Sequence, residues 1–349
     1  MEAPRETIFY SSIRSFFKSF FVIIGIFCAF IPVFLILTAT STEKDTGNKN
    51  IVTYLPDDTG SQHILSISSP AILRMNINGI IGKDLMTQAA IKSQLLESRE
   101  GVLKNNRVKG IFIHINSPGG GVTDCDGIYR LLVEYKKLYK VPIYAYVDGL
   151  CASAAMYIAC ACDKVYTSPM SIVGSVGVIF GPFFNINDTL NKVGVLTETL
   201  TKGKDKDTFS PFKKWSENEG AMIEPIIQFM YNRFLSIVST ARPKLTMDKL
   251  KNEYGAHVFD SQKAYELGYT DGWNLEYNAA LKELTKAANI KADEKYQLIE
   301  LKPKRAWLTE ILQGASSLMK GKIKHEIQIG PENPDTFSFI YDPASCPTK

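Results

Sequence analysis

The sequence predicts an α/β fold, with a mostly parallel sheet flanked by helices, behind one apolar N-terminal helix. Three observations predict it. Strand-like and helix-like stretches alternate from Ala71 onward, the signature of a parallel sheet. Val108 to Ile115 is a nearly continuous apolar run, as a strand buried on both faces requires. Ser19 to Ala39 contains no charged residue and is long enough to cross a bilayer as a helix.

The chain has 349 residues, 45% hydrophobic and 22% charged, enough for one large domain or two modest ones. A net charge of +4 is small for this length, and no Lys/Arg block interleaves with aromatics. Nucleic acid is therefore not an expected partner. Six cysteines show no paired C-x-x-C spacing, so no zinc site or other metal is expected, and no organic cofactor is called for.

In order, residues 1–18 read as a cytoplasmic N-terminus, 19–39 as a transmembrane anchor and 40–69 as a polar linker. Residues 70–288 read as the folded domain and 289–349 as a tail rich in Pro, Asp and Ser. Arg5, Arg14 and Lys18 precede the apolar run, which favours a cytoplasmic N-terminus and an extracytoplasmic body. A cleaved signal peptide would have a shorter apolar region and a small-x-small site, which Thr38-Ala39-Thr40 fits poorly. The expectation is a retained single-pass anchor in the cell membrane.

Within the domain, Ile72 to Ile81 reads as a strand or a pair of short strands and Thr87 to Leu103 as a helix, with Ala90, Ile91, Leu95 and Leu96 at helical spacing. After the strand Val108 to Ile115 comes a glycine loop, Asn116 to Val122. Thr123 and Asp126 then offer a capping pair for a helix running to about Leu138. Val141 to Val147 is the next strand, Lys164 to Thr167 a short one. Ala221 to Ala241 is a long amphipathic helix closed by Pro243, with Met222, Ile223, Ile226, Ile227, Met230, Phe234 and Ile237 on one side. His257 to Trp273 reads as a strand, helix and turn. Within the tail, Trp307 to Met319 could form an amphipathic helix.

Chemistry is concentrated in Tyr144 to Ile158. An apolar run turns at Asp148-Gly149 and becomes small and helix-compatible from Ala152. Ser153 lies where the turn passes into the helix. There an exposed hydroxyl would sit beside unpaired helix N–H groups, a place suited to a nucleophile that develops an oxyanion. A helix cap is the plainer reading of such a serine. Ser153 needs a base, and none of the four histidines (His63, His114, His257, His325) lies between residues 115 and 256. Lysine is the alternative, since Ser–Lys pairs follow the same logic as the catalytic triad. Lys202, Lys204 and Lys206 lie in one run. A lysine must lose roughly three pKa units, about 4 kcal/mol, to be neutral near pH 7, which calls for burial. The glycines of Asn116 to Val122 could present backbone N–H groups to an oxyanion facing Ser153.

Four segments taken together resemble the signal peptide peptidase A family of serine proteases, within the Clp protease/crotonase-like superfamily. They are Ile115-Asn-Ser-Pro-Gly-Gly-Gly-Val122, Cys151-Ala-Ser-Ala-Ala-Met-Tyr-Ile158, Gly174-Ser-Val-Gly-Val178 and Gly203-Lys-Asp-Lys-Asp-Thr-Phe-Ser-Pro211. The likeness covers about Ala71 to Trp273 and implies a Clp protease/crotonase-like fold of repeated ββα units. It implies Ser153 as nucleophile, Lys206 as general base and Ser175 as the residue that orients the lysine. Backbone N–H groups of Gly119 or Gly120 and of Ala154 would form the oxyanion hole. Where the family has glycines after the nucleophile, this chain has Ala154-Ala155. The implied protein is a membrane-anchored endopeptidase that cuts signal peptide remnants and other membrane-associated peptides. The implied assembly is a homo-oligomer whose sites are shared between subunits. The alternatives are a catalytically silent crotonase-like scaffold and an acyl-CoA enzyme of the same fold.

Overall fold

The computed structural model describes residues 8–41, 50–302 and 338–340. The chain divides into two units, residues 1–49 and 50–349. The first is helix α1, Ile8–Ser41. It contains a 19-residue window, Ser12–Phe30, with mean hydropathy 1.8 and no buried residue. By length and composition this helix can cross a membrane. The apolar window begins earlier than Ser19, because Arg14 and Lys18 are flanked by Ile13, Phe16 and Phe17.

The second unit is the α/β body. Its elements begin with β1 (Ile51–Leu55), β2 (Ala71–Ile81), α2 (Gln88–Glu97), β3 (Val108–Gly121) and α3 (Val122–Tyr139). Then come β4 (Ile143–Ala152), α4 (Ala154–Ala159), β5 (Lys164–Thr167), β6 (Ile172–Gly174), α5 (Asn187–Lys192) and α6 (Glu224–Ala241). The last are β7 (Val258–Asp260), α7 (Ser261–Leu267), α8 (Tyr277–Ala287), β8 (Gln297–Lys302) and β9 (Ser338–Ile340). The strands form one sheet in the order β1-β8-β2-β3-β4-β6-β7, with β5 beside β4 and β9 beside β3. The centre is parallel: β8 with β2, β2 with β3, and β3 with β4. The edges are antiparallel: β1 with β8 and β6 with β7.

Strand periodicity of two splits the apolar runs between two cores. Met75 and Ile77 of β2, Ile111, Ile113 and Ile115 of β3, and Ala145 and Val147 of β4 pack in the core shared with α2, α3 and α4. Ile72, Phe112 and Tyr146 project the other way, against Ala280, Leu281 and Leu284 of α8. Phe112 is fully buried there, so truncating it to alanine would cost about 3–5 kcal/mol.

Local chemistry sets several boundaries. Thr87 caps α2, its hydroxyl accepting from the Ala90 amide at 3.3 Å. Asp260 caps α7 by accepting from the Lys263 amide at 2.8 Å, and Gly268 ends that helix in the left-handed region. Pro225 opens α6, and Pro243 lies just beyond its end.

The structure departs from the sequence reading at several points. First, β3 does not stop at Ile115 but runs through the glycines to Gly121, because β2 continues beside it. Second, β4 starts at Ile143 and extends to Ala152. Third, β1 and β8 are sheet members inside the stretches read as linker and tail. Their pairing is long-range, and β1 is only partly buried, so neither advertised itself as a core strand. Fourth, no Thr123–Asp126 capping pair forms, since α3 begins at Val122 without a side-chain cap. Asp126 is engaged elsewhere, as described below. The apolar stripe of α6 is also only half used. Phe234, Leu235 and Val238 are buried, whereas Met222, Ile226 and Phe229 at and before its first turns are exposed. Trp307 to Met319 lies outside the described residues.

Candidate active site

The parallel strands β3 and β4 end beside one another, with Ser117 opposite Cys151. The turn expected at Asp148-Gly149 is instead a bulge in β4, where the register shifts between Ile115↔Val147 and Ser117↔Cys151. Asn116 supports it, its Oδ1 accepting from the Leu150 amide at 3.1 Å. Gly149 passes so near that a Cβ there would overlap the Asn116 side chain. One residue after β4, Ser153 has φ +55° and ψ −118°. Its amide donates to the Gly174 carbonyl at 2.9 Å, and its own carbonyl accepts from the Tyr157 amide at 3.0 Å. A non-glycine residue in that conformation costs about 1–3 kcal/mol and persists only where its surroundings hold it. Here β6 holds one side and the first turn of α4 the other.

Ser153 is only 1% exposed, which corrects the expectation of an exposed hydroxyl. The strand–turn–helix path does project it to the end of β4, but the neighbouring elements close over it. Its Oγ has no hydrogen-bond partner among the described residues. The helix-cap reading also falls, since Ser153 makes no side-chain cap. Ala154 and Ala155 are helical and buried, so neither needs the positive φ that glycine would allow. Ala154 is the first residue of α4, where an amide has no acceptor in its own helix.

The glycine stretch follows Ser117 on β3, a strand that lies against α4. Gly120 has φ +156° and lies so close to Ile81 that any side chain would collide with the β2 backbone. Gly119 has φ +109°, and its amide donates to the Ser117 hydroxyl at 3.2 Å. That hydroxyl donates in turn to the Gly79 carbonyl at 2.6 Å. The outer side of Gly119–Gly121 carries an extended segment: β9 pairs with it antiparallel, Gly119 opposite Ile340 and Gly121 opposite Ser338. The backbone of β9 also lies near α4. This edge thus holds an extended segment of the chain by main-chain pairing.

A polar clasp joins the helices that follow these two segments. Asp126 of α3 accepts from the Tyr157 hydroxyl of α4 at 2.6 Å, from Arg130 at 2.7 Å, and from two nitrogens of Arg233 of α6. Burial works to raise the Asp126 pKa, but those hydrogen bonds outweigh it and hold the carboxyl below its ordinary value. Cys125 adds a contact from its thiol to the Ala154 carbonyl at 3.3 Å. The sequence offers Asp126 only as a cap and carries no signal for its link to Tyr157 and Arg233. Arg233 lies 107 residues from Asp126, and no local spacing marks such a contact.

Ser175 is brought to the same end of the sheet. The β4–β6 register sets Ala152 opposite Gly174, so Ser153 and Ser175 each follow a paired residue. Ser175 is 5% exposed, has φ +56°, and donates its amide to the His257 carbonyl at 2.7 Å. Lys206 is not brought there. It is exposed, and no hydrogen bond links it to the Ser153 hydroxyl. It belongs to a segment after β6 with its own small aromatic centre, where Phe183 and Phe209 stack at 4.3 Å. Phe180 and Trp215 flank Phe209 at 6.1 and 5.7 Å. Leu196 and Leu200 of this segment are each 90% exposed.

Neither central histidine serves Ser153. His114 faces Asp148 at 3.9 Å on the other side of β3, and its Nδ1 is buried without a partner among the described residues. Burial, and then Arg74, push its pKa down. His257 contributes its carbonyl to Ser175 and its ring to Phe259. Cys125, Cys151, Cys160 and Cys162 are buried free thiols, Cys28 is exposed, and Cys346 lies outside the described residues.

Residues 136–291 match peptidase family S49, a span that contains Ser153, Ser175 and Lys206 but not the glycine edge. A protein of Enterococcus faecium named for signal peptide peptidase SppA is 30% identical over 209 residues, 58% of this chain and 60% of that protein. A protease-named protein of Methanocaldococcus jannaschii is 32% identical over 55% of this chain and 60% of its own length. Protease 4 of Salmonella typhi is 26% identical over 68% of this chain, but only 36% of its own length is covered. The chain thus spans less than two thirds of these relatives. Among solved structures, a ClpP1 variant from Listeria monocytogenes aligns over 61% of this chain and 96% of its own, at 18% identity and TM-score 0.39. The likeness to the signal peptide peptidase A family read from the four segments is borne out by the family match and these relatives.

Proposed function

We propose that this chain is a membrane-anchored serine endopeptidase that uses Ser153 as nucleophile and Lys206 as general base. The observation that carries the reading is Ser153 itself: a buried, backbone-strained hydroxyl without a partner among the described residues, beside a glycine edge that holds an extended segment. A peptide laid along Gly119–Gly121 in the manner of β9 would bring a scissile carbonyl to the start of α4. The neutral lysine amine takes the Ser153 proton as Oγ bonds to the carbonyl carbon. Negative charge moves to the carbonyl oxygen, where amides of Ala154 and of Gly120, or of Gly119 once released from the Ser117 hydroxyl, would receive it. The lysine ammonium then returns the proton to the leaving amine as the C–N bond breaks. Water releases the acyl group from Ser153 by the same proton path.

Lys206 would come from a neighbouring copy of the chain. Within one chain it is exposed and makes no hydrogen bond to the Ser153 hydroxyl, while its segment displays Leu196, Leu200 and Phe212 to solvent. An exposed apolar surface of that kind favours association, and a second copy would cover it. Ser175, adjoining Ser153 through Gly174, would orient the incoming amine. The apolar helix α1 would hold the site near the bilayer, where signal peptide remnants and other membrane-associated peptides are found. The membrane concerned would be the cell membrane, with the N-terminus cytoplasmic and the body outside.

The test is peptide hydrolysis together with labelling by a serine-directed fluorophosphonate, for wild type, Ser153→Ala and Lys206→Ala. Loss of both signals in both variants is expected. Wild type that neither cleaves nor labels would favour the silent scaffold. Acyl-CoA turnover that survives Ser153→Ala would favour the crotonase-type alternative.

A further inference from the structure

The loop that presents Lys206 is built around a cluster of charges that the catalytic reading leaves unused. Lys213 Nζ donates to Asp207 Oδ1 at 3.0 Å and lies 3.2 Å from Glu219 Oε1. The Glu219 carboxylate is only 9% exposed. Its Oε1 also accepts from the Phe209 amide at 2.8 Å, and its Oε2 from the amide and hydroxyl of Ser216, both at 3.2 Å. The loop residues on either side of Lys206 are committed to turns. Asp205 has φ +60°, and its carbonyl accepts from the Thr208 hydroxyl at 2.7 Å. The Asp207 carbonyl accepts from the Ser210 amide at 2.9 Å. Phe209 has φ +59° and stacks on Phe183. The direction in which Lys206 leaves the backbone is thus set from both sides.

Charge gives the cluster a second role. The charged side chains that share this loop and the turn packed on it are Lys202, Lys204, Asp205, Asp207, Lys213 and Glu219; Lys214 and Glu217 are exposed on that turn. A carboxylate left without its own cation would pair with the nearest free ammonium and stabilise its charged form. A lysine that must act as a base cannot tolerate such a partner. Lys213 already occupies Asp207 and Glu219. Hydrogen bonds from the Phe209 amide, then from Ser216 and Lys213, hold the Glu219 carboxyl near pKa 2, and the Asp207 contact raises that of Lys213. Both partners therefore stay charged across the working pH range.

We propose that Lys213 is a positioning residue for the lysine base: by bridging Asp207 and Glu219 it fixes the Lys206 loop and keeps both carboxylates from pairing with the Lys206 ammonium. The inference rests on Lys206 being the base, and the experiment separates the two claims. pH–rate profiles for peptide cleavage are measured on the full chain for wild type, Lys206→Ala, Lys213→Met, Lys213→Arg and the double variant Lys213→Met with Asp207→Asn. Lys213→Met keeps an apolar stem but removes the charge. Its acid limb is expected to move alkaline by about one pH unit, which is about a tenfold loss of kcat near neutrality, recovering at higher pH with KM nearly unchanged. Lys213→Arg should restore most of the wild-type profile, and Asp207→Asn should bring the limb of Lys213→Met back toward wild type.

A Lys213→Met profile that is lowered equally at every pH, or unchanged, while Lys206→Ala is dead, would overturn the positioning role alone. An active Lys206→Ala would remove the base assignment and the inference with it. If Lys213→Met does not fold, Lys213→Arg and Glu219→Gln decide. Glu219→Gln removes one of the two carboxylates and so should leave the acid limb where it is or move it acidward. An alkaline shift in that variant would overturn the proposal.

Discussion

The amide of Ser153 donates to the carbonyl of Gly174 at 2.9 Å, so the residue read as nucleophile is tied to the strand whose next residue is Ser175. Two serines 22 positions apart in the chain thereby become neighbours at the end of β4, both with positive φ. Rotating either would break a sheet contact, which is why the expected effects of substitution here separate activity from stability.

Ser153→Ala should abolish peptide cleavage and fluorophosphonate labelling while leaving the fold intact. It removes a buried hydroxyl that has no hydrogen-bond partner among the described residues. Stability in denaturant should therefore be unchanged or higher by about 1 kcal/mol. Full activity of the variant would end the nucleophile assignment, whereas a large destabilisation would mean that the hydroxyl has a structural partner.

Gly120→Ala and Gly121→Ala should differ sharply. At Gly120 a methyl group would overlap the Ile81 backbone, with φ at +156°. The expected cost is about 3 kcal/mol, with cleavage lost as the edge shifts. At Gly121, with φ −60°, a methyl group would meet only the Ile81 carbonyl at an ordinary 3.7 Å. That variant should stay near wild type. Equal effects of the two substitutions, by melting temperature and kcat/KM, would contradict the close approach of β3 to β2.

Lys206→Arg should be as inactive as Lys206→Ala, because a guanidinium does not give up its proton. Lys204→Ala should remain active. A dead Lys204 variant beside an active Lys206 variant would move the base within the loop.

Mixing Ser153→Ala and Lys206→Ala chains tests whether the site is shared. In a cyclic assembly at equal amounts, roughly a quarter of the boundaries join an intact serine to an intact lysine. Recovery of about a quarter of wild-type activity is expected. A mixed assembly, shown by pull-down to hold both variants and yet inactive, would place serine and lysine in one subunit.

Ending the chain at residue 337 should lower KM for small peptides several-fold at constant kcat, because β9 occupies the Gly119–Gly121 edge that a peptide strand would use. An unchanged KM would show that β9 and substrate do not compete.

What depends on neighbours along the chain is legible in the order of residues. The apolar run of β3 and the alternation that sends Phe112 to one core and Ile113 to the other both follow from spacing. So does the placing of Ser153 at a strand-to-helix turn, because the β-rich run and the small residues after it are contiguous. The likeness carried by four segments added the assignment of Lys206, which composition alone would have left as one lysine of a solvated loop. What depends on residues far apart is visible only in the folded chain. The burial of Ser153 and its bond to Gly174 come from β6 lying against β4. The recruitment of β1 and β8 comes from pairing across more than two hundred residues, which no window of sequence displays. Asp126 left its expected cap because Tyr157 and Arg233 offer it stronger, charge-assisted partners from two other helices. Within one chain Lys206 is exposed and makes no hydrogen bond to the buried Ser153 hydroxyl, a relation that no spacing along the chain displays.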